Sequence, residues 1–101
     1  MNNEPVYEID ADGNKEWFLN GEYHREDGPA IEFANGNKAW YLHGKYHRED
    51  GPAFEGTSGW HKWYLEDEEV EPETLVDLWL SRGVFCYFDD QEQELKFGEK
   101  Q

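Results

Sequence analysis

The string HREDGPA occurs at residues 24–30 and again at residues 47–53, an offset of 23. Aligned at that offset, residues 13–35 and 36–58 agree at 15 of 23 positions, among them Gly13 and Gly36, Lys15 and Lys38, Trp17 and Trp40, Leu19 and Leu42, Gly21 and Gly44, and Tyr23 and Tyr46. Identity on that scale means one supersecondary unit used again, with like residues in like surroundings. A third, degenerate unit begins at Gly59. There Trp63, Tyr64 and Leu65 follow Trp40, Tyr41 and Leu42 at the same offset, before the pattern gives way to Glu66-Asp67-Glu68-Glu69. Such decay suits the terminal unit of an array.

Each unit reads as strands joined by tight turns. Residues 15–19 (KEWFL) form a strand candidate, Asn20-Gly21 supplies the left-handed pair of a two-residue hairpin loop, and residues 22–25 return. Asp27-Gly28-Pro29 punctuates the return path, since Pro29 cannot donate to a ladder and restricts the residue before it. The chain extends again through residues 30–34, and Asn35-Gly36 turns it into the next unit. Three separate strands per unit would reverse the direction of successive units. Their near identity argues instead for two, the second kinked or bulged at Gly28-Pro29, with equivalent residues two strand spacings or roughly 10 Å apart.

The 23-residue period, the aromatic-x-x-Gly pattern and the His after the turn resemble MORN repeats, and more closely the divergent MORN-like repeats of bacterial, large-virus and bacteriophage proteins. The resemblance, written here as NGNKAWYLHGKYHREDGPA (residues 35–53), covers about residues 10–66, with the HREDGPA cores at residues 24–30 and 47–53 as its specific part. It implies an elongated single-layered sheet of successive hairpins acting as a scaffold or binding surface. Residues 25–29 (REDGP) stand where a short Gly-x-Gly stretch is usual, so the lipid-binding and membrane-junction roles of that family carry over poorly.

Repeat character ends near Val70. Glu71-Pro72-Glu73-Thr74 reads as a helix start, with proline in the first turn and acids beside the exposed N–H donors. Leu75, Leu78 and Trp79, joined by Val76 and Leu80, form a broad apolar arc that stops at Ser81-Arg82-Gly83. A helix this short needs a packing partner, and one face of the sheet is the candidate. A last hairpin follows, residues 84–88 returning through Leu95-Lys96-Phe97. The fold class expected is therefore mainly β: an elongated antiparallel meander over residues 1–70, with residues 71–101 a helix-plus-hairpin cap of the same compact unit.

Composition sets limits on partners. With 24 acidic against 9 basic side chains in 101 residues the formal charge is −15, which disfavours direct contact with nucleic acid or anionic lipid. A mean hydropathy of −1.07 suggests disorder, yet aromatics make up 17% of the chain, so ring burial in a thin β structure resolves the conflict. Cys86 is the only cysteine, which excludes an intramolecular disulfide. The N-terminal residues lack a basic and apolar leader pattern, and a soluble cytoplasmic protein is expected.

No catalytic constellation converges: there is no nucleophile elbow, phosphate-cradling glycine loop or HExxH, and Cys86 in an apolar strand reads as a small core residue. The chain is expected not to be an enzyme, and no cofactor or metal is implied. His24 and His47, about 10 Å apart on the spacing above, cannot share one ion. They read as structural, bonding the turn carbonyls or Asp27 and Asp50. Arg25 and Arg48 read as clamps on acceptors in the same turn. Trp17, Trp40 and Trp63 form a column at equivalent positions, either core or, if uncovered, an interface strip. Trp60 replaces a polar turn residue and is either the helix contact or an interface anchor. The acidic run of Glu66, Asp67, Glu68, Glu69 and Glu71 is a solvated linker, a contact strip for a basic partner, or a metal site, although it lacks the alternation of a calcium loop.

Charge and resemblance together point to a small acidic protein-binding module. Its expected partner is a protein with a basic surface, including clefts that normally take nucleic acid, and one form is a phage-encoded inhibitor of a host defence complex. The alternative is an assembly scaffold that forms homo-oligomers through the repeat sheet.

Overall fold

Asn20 (φ 54°) and Gly21 (φ 82°), His43 (φ 51°) and Gly44 (φ 79°), and Glu66 (φ 49°) and Asp67 (φ 70°) occupy the left-handed region in successive pairs. Two left-handed residues in a row make the hairpin turn whose twist matches that of the flanking strands, so the 23-residue spacing is visible in the backbone itself. The computed structural model describes residues 4–98; residues 1–3 and 99–101, the outer ends of the two spans expected above, lie outside the described part. The chain is mainly β with one short helix. In order come β1 (Val6–Ile9), β2 (Lys15–Leu19), β3 (Glu22–Tyr23), β4 (Ile31–Glu32), β5 (Lys38–Ala39), β6 (Tyr41–Leu42), β7 (Lys45–Tyr46), β8 (Phe54–Glu55), β9 (His61–Leu65) and β10 (Glu68–Val70). Helix α1 (Pro72–Ser81) and the hairpin β11 (Cys86–Asp89) and β12 (Glu94–Phe97) follow.

All pairings are antiparallel. One edge of β2 meets β1, with Tyr7 opposite Trp17. The other edge meets β3 at Phe18 and Leu19 and β4 at Lys15 and Glu16. Trp17 joins the two halves, donating its N–H to Ala30 O at 2.8 Å and accepting the His24 N–H at 3.1 Å. The return path is therefore one interrupted strand, β3 and β4 on a common edge with residues 25–29 looped out between them. Trp40 repeats both bonds one unit later, to Ala53 O at 2.7 Å and from His47 N–H at 3.1 Å.

Successive hairpins lock together by the same rule. Arg25 N–H donates to Tyr41 O and Arg48 N–H to Tyr64 O, each at 3.2 Å, while Gly44 N–H reaches Tyr23 O and Asp67 N–H reaches Tyr46 O, each at 2.9 Å. On the opposite side of the sheet, Asn14 Oδ1 accepts the Ala34 N–H at 2.8 Å and Asn37 Oδ1 accepts the Thr57 N–H at 2.9 Å. Trp60 stands where the next such asparagine would fall. Its ring stacks on Phe54 at 4.9 Å and remains 51% exposed. Strand alternation puts Trp60 on the face opposite Trp63, away from the helix, which removes the α1 contact from its two readings.

The cap supplies the main core. Glu71 is extended (φ −85°, ψ 154°), Pro72 opens the helix, and the helix ends with Arg82 N–H on Trp79 O at 3.1 Å and left-handed Gly83. Leu75, fully buried, packs with Cys86 and Leu95, and Trp63, Leu65, Val70, Val76 and Trp79 close around them. The third unit thus buries its tryptophan face under α1 and the last hairpin. The acidic run is no linker: Glu66 and Asp67 form the third hairpin turn and Glu68 and Glu69 enter β10, because the turn's backbone N–H groups find acceptors in the preceding unit.

Candidate functional site

The looped-out residues 25–29 and 48–52 are built around their arginines. The Arg25 guanidinium lies 3.9 Å from the Trp17 ring centroid, and Arg48 lies 4.0 Å from that of Trp40. Arg25 Nε donates to Asp27 at 3.0 Å and Nη1 to Pro29 O at 3.2 Å; Arg48 makes the same bonds to Asp50 at 2.9 Å and Pro52 O at 3.1 Å. A planar fork that bonds a carboxylate and a carbonyl while resting on an indole explains why arginine is required there. It also explains the glycine: a methyl group on Gly28 falls 2.9 Å from Arg25 Cζ, and on Gly51 2.8 Å from Arg48 Cζ. In the third unit Glu71 stands at the arginine position. Trp63 meets Phe88 edge-on instead, at 5.7 Å.

The histidines differ from expectation in their partners. His24, 2% exposed, accepts the His43 N–H on Nδ1 at 2.9 Å, and His47 accepts the Glu66 N–H at 3.1 Å. Neither imidazole bonds Asp27, Asp50 or the turn carbonyls of its own loop. The aspartates are engaged by the arginine two residues before them, whereas the first left-handed residue of the next hairpin offers an N–H without a ladder partner. The ring bonds across the unit boundary, and Nε2 faces Glu26 at 3.7 Å in one unit and Glu49 at 3.3 Å in the other.

Two open clefts lie on this face. The larger, about 860 Å³, is bounded by residues 25–28 and 47–50 and by the cap, with Trp40, Leu42 and Trp79 as its apolar lining. A smaller one, about 600 Å³, sits over Trp17 and Leu19. The rim carboxylates are largely matched by cations: Asp27 by Arg25, Asp50 by Arg48, and Glu49 by Arg82 at 2.7 Å. Trp79 Nε1 donates to Glu49 O, so the end of α1 is fastened to the second loop. The Arg82 guanidinium bonded to Glu49 holds that carboxyl below the usual glutamate range.

The unbalanced charge is elsewhere. Glu66, Asp67, Glu68, Glu71, Glu73 and Asp77 are all exposed, on the third hairpin and the first turns of α1. Glu69 is exposed beside them and pairs with Lys62 at 3.1 Å. Glu66 and Asp67 are pinned through their backbone, and Asp67 Oδ1 accepts the Tyr46 N–H at 2.8 Å. The structure therefore brings the acidic candidates together at one end of the molecule. Trp60 lies just before β9, roughly 20 Å at extended spacing from Glu66 at the hairpin turn, whereas the antiparallel register of β10, with Val70 opposite Trp63, brings the chain at Glu71 back toward it.

A second aromatic column also carries a signal in the sequence. Phe18, Tyr41 and Tyr64 recur at 23 residues beside each tryptophan, and Tyr23 and Tyr46 recur likewise. On the face opposite the tryptophans these rings stack as Phe18, Tyr23, Tyr41, Tyr46 and Tyr64, with centroids 5.0, 5.2, 4.3 and 4.9 Å apart. Burial in that stack pushes the Tyr41 hydroxyl well above its usual range. The rings spend their flat sides on one another. Cys86 lies buried against α1, its thiol pushed up by desolvation.

Among the described residues no group of three or more His, Cys, Asp or Glu side chains is arranged to hold a metal ion, and no helix is long and apolar enough to cross a membrane. Compared with family models, with curated proteins and with solved structures, the chain matches none.

Proposed function

We propose that the chain is a small acidic protein-binding module of MORN-like repeats that presents an ordered array of carboxylates to a basic partner surface. The observation that carries this reading is the acidic end, where Glu66, Asp67, Glu68, Glu71, Glu73 and Asp77 are exposed on a hairpin and helix start fixed to the rest of the sheet. Carboxylates held on rigid backbone lose less freedom on docking than those of a flexible acidic tail. A charge of −15 steers the module toward cationic clefts. Clefts that normally take nucleic acid are of that kind, and an inhibitor of a nucleic-acid-handling complex, such as a phage directs against host defence, is the specific form we favour.

The test is calorimetric titration against purified nucleic-acid-handling complexes at rising salt. Affinity that falls steeply with salt, and is lost when Glu66, Glu68 and Glu71 are changed to lysine, supports the proposal. Affinity indifferent to salt, or no binding to any cationic complex, overturns it.

A further inference from the structure

Strand β1 lies at the other end of the sheet from the acidic hairpin, and its surroundings follow from the repeat. Glu8 and Ile9 precede Ile31 and Glu32 by 23 residues, and β1 pairs with β2 as β4 pairs with β5. β1 is therefore half of a repeat unit. β4 is paired on both sides, by β2 and β5, whereas β1 is paired only with β2 among the described residues. Trp17 uses its N–H and C=O toward Ala30 and His24, so the alternation of β2 directs Val6 and Glu8 at β2 and leaves the N–H and C=O of Tyr7 and Ile9 facing outward. All four residues of β1 are exposed, and Val6, Tyr7 and Ile9 are 58, 57 and 65% exposed.

Such an edge is a template for another strand. The charge around it selects the occupant. Glu8, Asp10 and Asp12 are exposed there, while the nearby cation, Lys15, lies over the rings of Tyr7 and Trp17. A second copy of this chain is a poor fit, because antiparallel self-pairing centred on Glu8 sets two carboxylates opposite each other between bodies that each carry −15. We infer that β1 is a docking edge for an extended, basic segment of a partner protein, in which Lys or Arg alternates with apolar residues. The segment continues the sheet through the outward groups of Tyr7 and Ile9, sets a cation beside Glu8 and covers Tyr7 and Ile9 with apolar side chains. This surface is separate from the acidic hairpin, and the inference does not depend on that assignment.

The probe is a capped peptide of alternating Lys and Val, with amide exchange read residue by residue by NMR. Saturating peptide is expected to slow exchange at Tyr7 and Ile9 about tenfold or more. Ile9→Pro removes an outward N–H without touching the β1–β2 ladder, and abolishes the effect. As an arm independent of that variant's folding, Glu8→Lys weakens the Lys–Val peptide and creates binding to a Glu–Val peptide. Three results overturn the inference: no protection at β1, protection confined to residues 66–73, or peptide-independent dimerisation that protects β1 in a second copy. Protection confined to residues 66–73 leaves the acidic-module reading standing; binding at β1 with the Glu66, Glu68 and Glu71 variant unaffected separates the two surfaces in the other direction.

Discussion

Replacing His24 with leucine tests the bond that stitches the first unit to the second. The imidazole side chain is 3% exposed, and its Nδ1 is the acceptor for the His43 N–H at 2.9 Å. Leucine fills similar space but accepts nothing, so the His43 N–H faces a methyl group. Stranding a donor in that way costs about 1–3 kcal/mol, more than the net worth of the bond itself. For a domain of this size about 2 kcal/mol lowers Tm by roughly 8–16 °C. Urea unfolding followed by tryptophan fluorescence measures the loss, and the midpoint should move with the slope unchanged. His47→Leu supplies the internal control. That side chain is 15% exposed against 3% for His24, so water reaches the freed donor more readily and the cost falls to about 1 kcal/mol. A His24→Leu protein within about 0.5 kcal/mol of the parent, or a larger loss from His47→Leu than from His24→Leu, refutes the reasoning.

Other expected outcomes follow from the same contacts. Gly51→Ala displaces the Arg48 guanidinium from Trp40, because the added methyl falls 2.8 Å from Cζ; a loss of about 1 kcal/mol is expected, and Arg48→Ala in the Gly51→Ala background should add little. Leu75→Ala opens a cavity at the largest fully buried side chain and should cost about 2–5 kcal/mol in urea midpoint analysis. Glu49 has a carboxyl lowered by its bond to Arg82, so its contribution is complete above its ordinary value of 4.5 and is lost as pH falls through the lower folded value. The Tm difference between the parent and Glu49→Gln should therefore shrink on acidification below that value, and a difference that grows instead contradicts the Arg82 pairing.

The parts legible in the sequence are those whose cause is local. Asn20-Gly21 marks a left-handed pair whatever surrounds it, the Leu75, Leu78 and Trp79 spacing marks a helix face, and HREDGPA at two places marks equivalent loops. The arginine clamp was legible too, since Asp27 and Pro29 are close to Arg25 in sequence. What escaped depends on the neighbouring unit. The acceptor role of His24 is set by an N–H 19 residues away, in a turn whose left-handed backbone frees that donor. Trp60 breaks the asparagine rule because an asparagine there has no following turn to hold among the described residues. β1 carries no HREDGPA before it, so its membership of the repeat shows only in its pairing. The acidic run was legible as charge but not as a turn, since Glu66 is an uncommon choice for left-handed backbone and the pair is held there by His47 and Tyr46.

The account rests on one register carried through three units, and the two N–H···N bonds it places between them have a direct spectroscopic signature. Nitrogen–nitrogen couplings across hydrogen bonds, recorded on uniformly ¹⁵N-labelled protein, should connect the His43 amide to His24 Nδ1 and the Glu66 amide to His47 Nδ1. Both couplings, in these pairs, are the predicted result. A coupling in one unit without the other, or histidine nitrogens coupled to donors within their own loops, contradicts the common register.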